Sequence, residues 1–360
     1  MYIASLQLKN IRNQEAREIS FSPYLNLIVG VNGAGKTTII ESIHSISTTK
    51  SFKANREIDI VSYEKDFGSI LLTKTTDAND SLGIIYGKLS DSRVKKAYKI
   101  NEVPKRMNSF IGELISVLFT TDVINSFTQL ASTRRKFFNQ FLSQLNKEYL
   151  SHLLTYEKII RNKSRLLKLI REGADRKQLD YWNHELVQSG SYLIYERAHF
   201  ITSLQEFFDT AMHMEKHVDI TYVTEHENAD TIATIQQKIF TDLQRLTDVE
   251  IISARCLVGP HKDDYEVCLN EKNIKQFASR GEQKLSMSFI LYAIAMYIQS
   301  VTEQSPVVLL DDLSAEMDQK NLAHILDLFM QTKFQIIATA INELPYKKYT
   351  DTILQLTLGH

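Results

Sequence analysis

Gly30-Val31-Asn32-Gly33-Ala34-Gly35-Lys36-Thr37-Thr38 has the residue types and spacing of a phosphate-binding loop, G-x-x-x-x-G-K-[ST]. Glycines at 30, 33 and 35 let the backbone curl so that successive N–H groups and a helix N-terminus point at phosphate oxygens. Lys36 reaches for the β- and γ-phosphates, Thr37 offers its hydroxyl to Mg²⁺, and Val31, Asn32, Ala34 and Thr38 complete the wall. That is the chemistry of ATP binding. A second group, Pro306-Val307-Val308-Leu309-Leu310-Asp311-Asp312, is an apolar strand ending in two carboxylates. Hydrolysis needs one anion on the metal and another on the attacking water, so Asp311 is assigned to Mg²⁺ and Asp312 to orienting and deprotonating the water. Lys36 and Asp312 are the candidate catalytic residues. A third, Ala278-Ser279-Arg280-Gly281-Glu282-Gln283-Lys284, opens a long apolar helix from Leu285 to Ser300. Ser279 supplies a hydroxyl and Gly281 a close backbone approach, with the helix dipole behind them, so this turn also grips a phosphate.

The flanking elements are those such a site needs. Leu25 to Val29 is nearly all apolar and reads as a strand buried on both faces, and Thr38 to Ile46 reads as a helix, giving strand, loop, helix. Ile3 to Leu8, Glu18 to Phe21 and several runs between Phe67 and Lys99 predict an antiparallel sheet. Ser314 to Asp318 follows the carboxylate strand, and Phe334 to Thr339 reads as another buried strand. Phosphate loop, signature turn, Walker B strand, D-loop and switch strand, in this order, make an α/β ABC-type ATPase head: a mixed sheet with N-terminal antiparallel strands and an inserted helical lobe. In that architecture the Ser279 turn meets the nucleotide of an opposite subunit, so ATP would join a head-to-tail homodimer.

The insertion is read from what is missing. After Pro104 the next proline is Pro260, and the intervening glycines before Gly259 are 112, 173 and 190, so this stretch is free to be helical. The expected division is 1–125 for the first part of the head, 126–248 for the helical lobe, and 249–360 for the second part, with Val249 to Ala254 leading back toward the sheet core. Between Ser126 and Glu172 ten positive residues face three negative ones, a net of +7, while Asp175 to Lys216 carries −3. Read as two antiparallel helices, these charges either pair with each other or face DNA, and Lys163, Arg165 and Lys168 are the candidate DNA contacts. A smaller basic stretch, Arg93 to Arg106, nets +5, and is either a solvated hairpin or a nucleic-acid contact.

Bulk composition sets the remaining bounds. Lys+Arg 42 against Asp+Glu 43 excludes a generally basic protein, so any nucleic-acid surface has to come from local segregation of charge. Cys256 and Cys268 have no C-x-x-C spacing or histidine companions, which points to thiols in the cytosol. The N-terminus lacks a long apolar core, and no run of about eighteen uninterrupted apolar residues predicts a membrane span.

These residues resemble the RecF family of bacterial recombination and repair ATPases, relatives of SMC heads, nearly end to end. The resemblance rests on Leu8-Lys9-Asn10-Ile11-Arg12, the phosphate loop, Ser51-Phe52-Lys53, Gly259-Pro260-His261-Lys262-Asp263-Asp264, the Ser279 turn, and Leu310 to Asp318. Departures are Lys262 for the family's arginine, Glu282 for its usual glutamine, and Gln129 to Asn139, where a glycine, a proline and a final aspartate are missing. The resemblance implies ATP-dependent binding to single- and double-stranded DNA at the junctions of gapped duplex, within replication, recombination and the SOS response to damage. It further implies RecR-like and RecO-like mediators, assistance in loading RecA, and slow, DNA-stimulated hydrolysis with ATP and Mg²⁺. The alternative is another ABC-type head such as a transporter's ATP-binding subunit, which the basic helical stretch disfavours.

Overall fold

A strand of four apolar residues and one asparagine has no face to offer water, and in the computed structural model Leu25–Val29 is enclosed accordingly. The structure describes residues 1–360 except 77–78, 91–92, 212–216, 227–230, 313–318, 342–348, 350–352 and 356–360. In chain order the first elements are β1 (Tyr2–Ile11), β2 (Gln14–Ser20), β3 (Leu25–Val29), α1 (Lys36–Thr48), β4 (Phe67–Thr75), β5 (Asn79–Ser90), β6 (Arg93–Ile100), β7 (Val103–Lys105), α2 (Met107–Phe110), β8 (Ser116–Thr120) and α3 (Thr121–Gln129). Next come α4 (Ala131–Leu145), α5 (Lys147–Arg171), α6 (Leu179–Ala211), β9 (Val218–Val223), α7 (Ile232–Ser253), β10 (Asp264–Leu269), β11 (Lys272–Asn273) and α8 (Ile274–Phe277). The chain closes with α9 (Arg280–Thr302), β12 (Val307–Asp311), α10 (Gln319–Met330), β13 (Ile336–Ala340) and β14 (Ile353–Gln355).

Two compact units result: a head of Met1–Ser126, Phe207–Glu215 and Gln276–His360, and a helical unit of Phe127–Glu206 and Lys216–Lys275. The head holds an antiparallel sheet ordered β2-β1-β4-β5-β6-β7 and a parallel sheet ordered β14-β3-β13-β12-β8. Its core joins Ile39, Ile40, Ile43 and Ile46 of α1 to Leu6, Ile70, Leu82 and Ile84 of the first sheet and Ile28, Leu309 and Ile337 of the second. Each isoleucine so buried stabilises the head by roughly 1.5–3 kcal/mol. Twelve residues of α1 are buried, which fixes its N-terminus rigidly at the end of β3. Because β3, β13 and β12 run parallel in register, Val29 opposite Ala340 and Leu310 opposite Ala338, all three deliver their C-terminal ends to one edge. Helix α9 is long and apolar enough to cross a membrane by composition, but most of it is buried inside the head.

The helical unit carries its own three-stranded sheet, β11-β10-β9. Two expectations are corrected here. The stretch from Ser126 to Glu172 is not one helix but parts of α3, α4 and α5. Val249 to Ser253 does not lead back to the head's sheets: it is the last part of α7, where Glu250 and Ile251 are buried with Ile235, Ile239 and Leu243, and the helix ends at Ala254 with φ 51. The second junction therefore falls after Lys275 rather than at 248, because β10 pairs with β9 and holds Gly259 to Asp264 in the helical unit.

Candidate nucleotide-binding site

The phosphate loop leaves β3 with Gly30 N–H donating to the Ala340 carbonyl at 3.3 Å, so the neighbouring strand anchors its start. Gly35 adopts φ +90, a conformation that demands glycine, and a Cβ there would also push aside the tip of the Gln14 side chain, whose Nε2 would lie 2.1 Å away. The Lys36 ammonium donates to the carbonyls of Gly30 at 2.6 Å and Val31 at 3.1 Å, which curls the loop around it. Thr37 Oγ1 and Thr339 Oγ1 both donate to Asp311 Oδ1, at 3.2 and 2.8 Å. Burial raises the Asp311 pKa, and the two hydroxyls and the Lys53 charge oppose that rise. Asp312 follows at φ 53, its amide donating to Thr339 Oγ1 at 2.9 Å, a left-handed conformation that aspartate adopts more readily than most non-glycine residues.

These groups border a cavity of about 530 Å³ lined by Arg12, Asn13, Asn32, Gly33, Gly35, Lys36, Thr37, Thr38, Glu41, Lys53 and Asp312. Of the loop residues named from sequence, Asn32, Gly33, Gly35, Lys36, Thr37 and Thr38 face it. Gly30 and Val31 act through their carbonyls, and Ala34 is buried with its amide on the Val31 carbonyl. Four lining residues were not assigned roles from sequence: Arg12, Asn13, Glu41 and Lys53. Glu41 organises them. It accepts from Arg12 Nε and Nη2 at 3.0 and 2.7 Å and from the Ser51 hydroxyl, and Ser51 Oγ in turn accepts the amides of Lys53 and Ala54. A buried glutamate one turn after Thr37 on α1 was the signal that could have found this. Asn13 bridges the loop, donating to the Gly33 carbonyl at 2.8 Å.

Ser279 and Gly281 do not join that lining. Ser279 caps α9 in a capping box, donating its hydroxyl to Glu282 Oε2 at 2.9 Å while accepting the Glu282 amide. Ser314 to Asp318 lies outside the described residues. Among the described residues no three His, Cys, Asp or Glu side chains cluster as a metal cage. Thr37 and Asp311 instead offer two hard oxygen donors beside the phosphate loop, a set that suits Mg²⁺ completed by phosphate oxygens and water.

Two of the three family departures, Gln129 to Asn139 and Lys262, fall in the helical unit, whereas Glu282 lies on α9 of the head. Arg134 forms a bidentate pair with Asp264 at 2.7 and 2.8 Å, and Arg135 donates to the Asp263 carbonyl at 2.5 Å. Burial alone would raise Asp264, yet the Arg134 hydrogen bond and the Tyr265 amide hold it below the usual carboxylate range. Asn139 Oδ1 accepts from Arg197 Nη2 at 3.0 Å and Tyr149 Oη at 2.6 Å. One DNA candidate is corrected: Lys163 is fully buried, its Nζ 2.6 Å from the equally buried Glu250 Oε2. A charge cancelled in the interior contacts no DNA. Arg165 and Lys168 are exposed.

A family model described as the RecF/RecN/SMC N terminal domain matches residues 2–359. The chain belongs to this family. It is 28% identical over 348 residues to the DNA replication and repair protein RecF of Ligilactobacillus salivarius, covering 94% of this chain and 90% of that one. It is 29% identical over 350 residues to the protein of the same name from Bacillus thuringiensis, covering 94% and 92%. Among solved structures, the recombination mediator protein RecF-ATPrS of the RecFOR pathway superposes with TM-score 0.90 at 22% identity, over 99% of this chain and 96% of the other. An Smc head bound to the C-winged helix domain of ScpA gives 0.53 at 15% identity, over 99% and 94%. Both structural likenesses speak to the fold, and both agree with the α/β head of an ABC ATPase.

Proposed function

We propose that this chain is a RecF-like ATPase of recombinational DNA repair, in which nucleotide switches a DNA-binding state. The observation that supports this most is the edge where Lys36, Thr37, Asp311, Asp312 and Thr339 converge from strands far apart in sequence, in a chain matching its family from end to end. Lys36 would exchange its two carbonyl acceptors for β- and γ-phosphate oxygens. Thr37 and Asp311 would hold Mg²⁺, which when bound neutralises charge on the phosphates. Asp312, with its backbone held by Thr339, would orient the attacking water and accept its proton, and hydrolysis would be slow and DNA-stimulated. Ser279 and Gly281 would meet the nucleotide of a second copy, so ATP would assemble a homodimer. The Ser279 hydroxyl must first turn away from Glu282, which makes that assembly conditional.

The DNA is expected to be gapped duplex, read at its single- to double-strand junctions. RecR-like and RecO-like partners are expected in loading RecA. Sedimentation with and without ATP and gapped duplex tests the reading. Wild type should shift to a dimer and bind DNA only with ATP, and Asp312→Asn should hold that state while hydrolysis drops by about 100-fold or more. Loss of ATP binding in a folded Asp312→Asn variant would remove the base from this residue, and nucleotide-independent DNA binding would remove the switch.

A further inference from the structure

Helix α5 carries a line of cations that nothing in its own unit balances. Lys158, Arg161, Arg165 and Lys168 are all exposed, spaced three, four and three residues apart. At 100° per residue they fall within an arc of about 80°, while Tyr149, Tyr156, Ile159, Lys163, Leu167 and Ile170 are buried on the opposite side. Lys163 pairs with Glu250 and His152 with Glu148, but among the described residues none of these four cations has an acidic partner within 4 Å. Two carboxylates stand one turn away, Glu157 before Arg161 and Glu172 after Lys168, and neither closes a pair. The acidic stretch of α6, which could have neutralised the line, does not reach it as an ion pair among the described residues.

Like charges at these spacings oppose helix formation, three times over in this one segment. A helix kept under that strain on its most exposed side has a use for the charge outside its own fold. From Lys158 to Lys168 the axis rises about 15 Å. Over that length a DNA duplex presents roughly nine phosphates. The line has no exposed aromatic among its members to stack on bases, and its long flexible cations suit phosphate oxygens rather than base edges.

We propose that Lys158, Arg161, Arg165 and Lys168 form a phosphate-tracking surface for the backbone of double-stranded DNA, binding without regard to sequence. This rests on the DNA-binding reading above, and the experiment separates the two. Equilibrium binding of the full chain with ATP to fluorescent duplexes of two unrelated sequences is measured from 50 to 300 mM salt. Four glutamine substitutions at these positions form one variant, and four at the exposed Lys9, Arg56, Lys65 and Lys333 of the head, outside the basic stretch from Arg93 to Arg106, form a second with the same change in net charge. Glutamine keeps helix propensity and removes the repulsion, so the α5 variant should fold and bind ATP as wild type does. The expected result is a plot of log affinity against log salt flattened by about 3–4 units in the α5 variant only, equally for both sequences, with affinity at 50 mM salt reduced more than about tenfold. Equal slopes in the α5 variant and wild type overturn the surface while leaving DNA binding intact, as does an equal loss in both variants, which would signal bulk charge. Absence of duplex binding by wild type overturns the DNA-binding reading and the surface together.

Discussion

Lys36 in the head and Lys163 in the helical unit both withdraw an ammonium group from water, being 7% and 0% exposed, and the two units treat that charge in opposite ways. Lys36 lies at the border of a cavity and is held by two neutral carbonyls. Such acceptors satisfy its hydrogen bonds without cancelling its charge, so an arriving phosphate finds a full positive charge in a partly dehydrated setting. Lys163 faces a carboxylate, whose other oxygen accepts the Leu257 amide at 2.7 Å, so its charge is cancelled inside the fold. A buried lysine is therefore a binding group or a structural one according to whether its partner is exchangeable.

The contrast breaks most sharply at the structural lysine. Lys163→Met should lower stability by about 3–5 kcal/mol, because Glu250 is left buried without a counter-charge, while the folded fraction binds nucleotide normally. Denaturant unfolding measures this, and Lys163→Met combined with Glu250→Leu should recover most of the loss. An unchanged midpoint in the single variant would mean that Glu250 escapes to water. Lys36→Ala should do the converse. Nucleotide affinity should fall by more than about 100-fold, equivalent to about 2.7 kcal/mol, with the nucleotide-free unfolding midpoint moving little. Titration calorimetry at matched folded fractions decides it, and retained affinity would take the charge of Lys36 out of the site.

A third, smaller effect sharpens the comparison on the head side. His44 on α1 is buried against the edge of Phe52, its Nδ1 has no hydrogen-bond partner among the described residues, and burial lowers its pKa to about 4. The unfolded chain takes up a proton near pH 6.5 that the folded head refuses until about 4, so this contribution to stability is full above pH 6.5 and declines as pH falls. Between pH 7 and 5 the loss should be about 2 kcal/mol. His44→Asn should flatten that part of the stability profile, and an identical pH dependence in the variant would place the titration elsewhere.

Much of the nucleotide site was legible because its parts are local. A glycine loop between strand and helix announces itself within nine residues, and Asp311-Asp312 at the end of an apolar strand is a short pattern of the same kind. Thr339 was not legible as a ligand, since its hydroxyl matters only because β13 lies between β3 and β12. Lys163 was misread by counting charge without phase. It shares the helical phase of Tyr156, Ile159, Leu167 and Ile170, and Glu250 shares that of Ile239, Leu243 and Ile251, so both charges were marked for the interior by periodicity.

What sequence alone determined, then, is what short-range physics determines: the loop's chirality through glycine, the periodicity of strands and helices, and the order of motifs along an ATPase head. Tertiary structure decided which charges meet. Glu41 organises Arg12 and Ser51, Asp264 takes Arg134, and Glu250 takes Lys163, with partners 29, 10, 130 and 87 residues apart. Ionic attraction acts through space and is set by burial and distance, so a count of charges along the chain leaves the partners undetermined. The same reason leaves Lys158, Arg161, Arg165 and Lys168 unpaired among the described residues: the fold brings none of their own unit's acids within ion-pair distance.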